Sequence, residues 1–133
     1  MRNLFFILLL SFLFILKTPA KIYENEGMSF EEAFNEVSRT PMLMIVYANW
    51  ADNYEECLNS FRNLETKFGN TFNFVELNIA SKETKAFNAR FKIDQNLPYV
   101  LMFRDGGKIS RYLDSQCLLN ESCITSRIKS FIQ

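Results

Sequence analysis

Apolar positions along the chain fall into three kinds of run, and each predicts a different element. The first is a block at the start, where Arg2 precedes thirteen nearly unbroken apolar positions over 4–16 and Lys17-Thr18-Pro19-Ala20 follows. A basic start, an apolar stretch and a small-residue end make a secretory signal peptide over 1–20, cut after Ala20. An uncleaved anchor is the other reading, but a spanning helix needs about 20 apolar residues and this run is shorter. The second kind is the short continuous run over 42–48, MLMIVYA, which predicts a strand buried on both faces at the centre of a parallel or mixed sheet. The third is periodic. Tyr54, Cys57, Leu58, Phe61, Leu64 and Phe68 recur at helical spacing until Gly69-Asn70 ends the segment.

The remaining elements follow from the same reading. A short strand is expected over 21–25, and Ser29-Phe30-Glu31-Glu32 has the form of a capping box. It opens a helix with Phe30, Ala33, Phe34 and Val37 on one face, stopped at Thr40-Pro41. Strands follow over 72–79 and 99–103, with a helix over 81–91 between them. Asp105-Gly106-Gly107 is a hairpin turn, and 108–113 returns as an edge strand. A last helix turns Ile124, Ile128, Phe131 and Ile132 inward. The order β-α-β-α-β-α-β-β-α implies an α/β fold, a mixed central sheet flanked by helices, as a single domain over 21–133. Order alone names no function.

Composition narrows the chemistry. With 48% apolar and 15% aromatic residues, the 133-residue chain has ample material for one core. Taking Arg2 and Lys17 from the 15 basic residues leaves 13 against 15 acidic ones, a net charge of −2 without the leader. No basic cluster is evident in the sequence, so nucleic acid is not an expected partner. Histidine is absent, which removes the usual general base and the commonest metal ligand. Cys57, Cys117 and Cys123 lack zinc-ligand spacing, so no metal or other cofactor is expected. The leader places these cysteines in an oxidising compartment, where two can pair and one is left over.

Three segments together carry a resemblance. A buried strand ends in Tyr47-Ala48-Asn49-Trp50 at a helix start; Asn96-Leu97-Pro98-Tyr99 leads into an apolar strand; Phe103-Arg104-Asp105-Gly106 follows it. In order and spacing the chain resembles thioredoxin and the catalytic-type domains of protein disulfide isomerases, over roughly residues 22–132. The resemblance implies the thioredoxin fold. It also marks what is missing, because Ala51 and Tyr54 stand where that family has its Cys-x-x-Cys thiols, and Ile45 stands where it has a buried, proton-moving carboxylate.

Each remaining feature at that site has two readings. Cys57 lies six residues past Ala51, about 9 Å along the helix, on its apolar face and among Asp52, Glu55 and Glu56. Carboxylates disfavour a thiolate, so a core cysteine is expected rather than a substitute nucleophile. Asp52-x-x-Glu55 has capping-box spacing and is expected to close the helix start. Trp50 is either an aromatic contact for a partner or ordinary packing against the helix. For Pro98 the resemblance implies a cis Leu97-Pro98 bond that turns the Leu97 backbone toward a groove for an extended client; the alternative is a loop stop. Asp114 matches the family's small groove glycine and is expected to crowd a client there.

Cys117 and Cys123 bracket Leu118-Leu119-Asn120-Glu121-Ser122, outside the family pattern. A disulfide there would staple the last helix to the edge strand; a redox pair is the alternative. Asn120 is a glycosylation acceptor by sequence and a candidate N-cap. The expected groove is therefore Trp50, Ala51, Tyr54, Leu97, Pro98 and Asp114. The expected function is polypeptide binding without thiol exchange, in the endoplasmic reticulum lumen or after secretion, with no stable membrane insertion once the leader is cut. Phe131-Ile132-Gln133 is not a retention signal, so retention would need a partner. An oxidoreductase using Cys117/Cys123 or Cys57, and a secreted structural subunit with a vestigial groove, are the rival readings.

Overall fold

The computed structural model describes residues 28–133. The leader over 1–20 and the strand expected over 21–25 lie outside the described residues. Within them, α1 (Phe30–Asn35) precedes β1 (Met42–Tyr47), α2 (Tyr54–Phe68), β2 (Asn73–Asn78), α3 (Thr84–Asn88) and β3 (Tyr99–Arg104). β4 (Ile109–Asp114), α4 (Ser115–Leu119) and α5 (Glu121–Phe131) complete the chain. The strands form a mixed sheet in the order β2-β1-β3-β4. β1 runs parallel to β2 and antiparallel to β3, which pairs antiparallel with β4.

The position of β1 explains why its sequence is apolar throughout. Leu43 and Ile45 enter a core shared with Cys57, Phe61 and Leu64 of α2 and with Ile124 and Ile128 of α5. Met42, Met44 and Val46 enter the opposite core with Phe30 and Ala33 of α1 and Phe87 of α3. A strand between two helical layers has no solvent face on which polar residues would be stable. The second core is strongly aromatic, with Phe30 edge-on to Phe87 at 5.4 Å and Phe91 against Phe103 at 5.0 Å between ring centroids.

α1 starts as its sequence predicts, the Ser29 hydroxyl accepting from the Glu32 amide at 3.2 Å. The helix expected over 81–91 is shorter. The Ser81 amide donates to the Asn78 carbonyl at 2.9 Å and the Thr84 hydroxyl donates to the Ile79 carbonyl at 3.0 Å, so these residues close a turn after β2 before the helix begins. The turn at Asp105, Gly106 and Gly107 has φ of 54°, 70° and 86°. A Cβ at Gly107 would stand 2.7 Å from the Phe34 ring, so both conformation and space require glycine there.

Two expectations at the C-terminal end change. α4 was not foreseen, and Ile132, expected inward, is 39% exposed. Ile132 shares a helical face with Ile128 by spacing, but it lies past the last residue of α5, as its C-cap, where the helix has ended. Among the described residues, no helix is long and apolar enough to cross a membrane.

Candidate functional site

The strand register brings the sequence-chosen positions to one end of the sheet. Tyr47 pairs with Asn78, Val46 with Tyr99, and Tyr99 with Asp114, so four strand ends lie side by side. The 48–53 loop leaves from there with Trp50 and Ala51 and delivers Tyr54 as the first residue of α2. Leu97 and Pro98 enter β3 at the same end, and Asp114 leaves β4 there. The Leu97–Pro98 peptide bond is cis. Pro98 is buried, and Leu97 is half-buried against the second core.

Trp50 is the most exposed large apolar side chain described, at 73%. It is therefore not packed against α2. Beneath it the chain turns tightly, the Ala51 amide donating to the Ala48 carbonyl at 3.1 Å, and Ala51 is 9% exposed. Tyr54 stacks parallel to Tyr47 with centroids 6.3 Å apart, and its hydroxyl donates to Glu55 Oε1 at 3.2 Å. That hydrogen bond, with smaller contributions from desolvation and the Glu55 charge, raises the Tyr54 pKa. Burial first, and then the Glu76 carboxylate, push the Tyr47 hydroxyl up as well. Glu76 itself holds Arg62 through two hydrogen bonds of 2.9 Å.

The capping box expected at Asp52 and Glu55 does not form. Asn53 is the N-cap, left-handed at φ 61° and ψ 18°, with no side-chain hydrogen bond to the helix. The helix thus starts one residue later than the box requires, which moves Glu55 off the reciprocal position and leaves it to Tyr54. Sequence reading also missed a tie across the site, Asn78 Nδ2 donating to Asn49 Oδ1 at 3.3 Å while Asn78 Oδ1 accepts from the Ala80 amide. Asparagine at two strand ends was the available signal. Asp114 has a role the sequence reading did not assign: its carboxylate accepts from the Cys117 amide at 2.9 Å and caps α4.

No protein-family profile and no curated protein sequence matches the chain. Solved structures do. A chain from the complex of ferredoxin:thioredoxin reductase with thioredoxin f2 matches at TM-score 0.63 and 12% identity, over 82% of this chain and 93% of that one. Reduced Schistosoma mansoni thioredoxin matches at TM-score 0.59 and 15% identity, over 79% and 91%. Chlamydomonas reinhardtii thioredoxin f2 matches at 0.57 and 14%, over 77% and 89%. The fold is thioredoxin-like. Identities this low show the fold alone.

In this thioredoxin-like domain one cysteine is buried and the other two are paired with each other. Ile45 is fully buried on β1, and Cys57 is fully buried in the same core. Burial first, and then the Glu56 carboxylate, push the Cys57 thiol up, away from the thiolate that exchange requires. Cys117 and Cys123 form a disulfide with Cα atoms 5.2 Å apart. It joins α4 to α5, not the edge strand to the last helix as expected, because Cys117 lies inside the unforeseen helix. Asn120 caps α5, its Oδ1 accepting from the Cys123 amide at 3.1 Å, while its Nδ2 has no hydrogen bond among the described residues. What the sheet end offers chemically is an exposed indole, a stacked tyrosine pair and backbone beside Pro98.

Proposed function

We propose that the chain is a secretory-pathway thioredoxin-like protein that holds an extended polypeptide at the sheet end, in protein folding or a luminal complex, without thiol exchange there. The observation that carries this reading is the pairing of a 73% exposed Trp50 with the Leu97–Pro98 segment at one sheet end. Ala51, Tyr54 and Ile45 occupy the positions where exchange needs two thiols and a carboxylate. Strand-like pairing draws on backbone groups and needs no sulfur, and an exposed tryptophan supplies anchor area at low entropic cost.

The purified domain is expected to give no insulin reduction above background. It is expected to bind unfolded polypeptide, with affinity falling about tenfold or more in Trp50→Ala at unchanged melting temperature. Turnover that vanishes in Cys117→Ser or Cys123→Ser would instead favour an oxidoreductase. The secretory part is tested separately at Asn120. Expression of the full chain in a secretory host should give a glycosidase-sensitive mass shift that Asn120→Gln abolishes, and a secreted chain without the shift would remove Asn120 as an acceptor.

A further inference from the structure

A second feature lies under α5, toward the opposite end of β3. Arg104 from β3, Arg111 from β4 and Arg127 from α5 line one cleft of about 130 Å³, together with Tyr112, Ser130 and Phe131. No acidic side chain lines it. Arg104 reaches Asp105 through Nη1 at 2.7 Å, and its guanidinium lies over the Phe131 ring at 5.4 Å. Its Nε is buried with no hydrogen-bond partner among the described residues. Arg111 gives Nη1 to the neutral Ser110 carbonyl at 2.8 Å. Three guanidinium charges against the single Asp105 carboxylate leave a local charge of +2. The chain as a whole has 15 basic and 15 acidic residues, so this concentration does not follow from a generally basic protein.

We infer that this cleft binds a tetrahedral oxyanion, either free or as a phosphate or sulfate monoester on a larger molecule. A guanidinium is a rigid fork of donors suited to such oxygens, and three forks with the Ser130 hydroxyl provide more donors than a single carboxylate can accept. A buried donor left without an acceptor is unfavourable, and an oxyanion in the cleft supplies acceptors beside Arg104. The small volume fits one such group, and Tyr112, 44% exposed at the rim, offers a flat surface to whatever carries it. The site is separate from the Trp50 end, and neither inference depends on the other.

The test is a titration of the domain with inorganic sulfate, inorganic phosphate, phenyl phosphate and phenyl sulfate, followed by backbone NMR against sodium chloride at matched ionic strength. Saturable shifts around Arg104, Arg111 and Arg127 are expected, with Kd below about 1 mM for at least one oxyanion. Arg111→Gln and Arg127→Gln should each weaken binding about tenfold, since both side chains are exposed and neither change disturbs the core. Tighter binding of a monoester assigns the source to a modified macromolecule, and equal binding assigns it to the free ion. Shifts that stay linear, that chloride reproduces, or that survive in the double variant overturn the site.

Discussion

The 48–53 loop and the α4–α5 corner lie at the same end of one sheet, yet they are built in opposite ways. At the corner, Asp114 caps α4, Asn120 caps α5, the Cys117–Cys123 disulfide joins the two helices, and Lys67 of α2 pairs with Glu121. Local interactions account for its order. In the loop, Asn53 is left-handed and makes no side-chain cap, while the chain's one tryptophan faces solvent. A left-handed residue other than glycine is uncommon, and an indole left in solvent contributes little burial energy to folding. The corner is explained by folding; for the loop, our proposal supplies a bound polypeptide.

Breaking the corner has the largest expected effect on stability. Cys117→Ser with Cys123→Ser should lower stability by about 2 kcal/mol, the chain-entropy value for so short a loop, measured by denaturant unfolding. Polypeptide binding at Trp50 should persist in that variant, and its loss would mean that the two regions are one unit. Next in size are the caps. Asp114→Ala should cost about 1 kcal/mol, whereas Asp52→Ala, which removes no cap, should change stability by less than about 0.5 kcal/mol. Equal losses would restore the capping box that the structure lacks.

A smaller contrast is expected with pH, as directions only. Glu121 is lowered from 4.5 by the hydrogen bond and charge of Lys67, so the corner's contribution is present above the unfolded value and lost as pH falls through the folded one. Tyr47 is raised from 10.0 by burial and Glu76, so its contribution is present below pH 10 and lost as pH rises through the folded value. Unfolding midpoints across pH should therefore soften at the acid end in a way that Glu121→Gln removes. At the alkaline end, Tyr47→Phe should remove the corresponding loss.

The sequence was most informative where one element reveals itself by its own pattern. The unbroken apolar run of β1 announced burial on both faces, and the periodic face of α2 placed Cys57 in the core. Features made by one residue's backbone or by distant residues meeting were not legible. Asn53 shifts the start of α2 through its φ alone, which no hydrophobic pattern records. The five residues of α4 are too few for a helical period to show, so the Asp114 cap was missed and the disulfide was assigned to the wrong pair of elements. Arg104, Arg111 and Arg127 meet only because β3, β4 and α5 pack together. Along the chain they read as scattered surface charges.

Trp50 is both the proposed anchor and the only tryptophan, so its fluorescence reports on the site without a label. The decisive measurement is a titration with an unfolded, tryptophan-free polypeptide whose cysteines have been alkylated, which excludes disulfide exchange. The emission should begin at the long wavelength of a solvent-exposed indole and move saturably to shorter wavelength as the polypeptide binds. If calorimetry detects binding while the emission stays fixed, or if no binding occurs at all, the sheet end is not a polypeptide site.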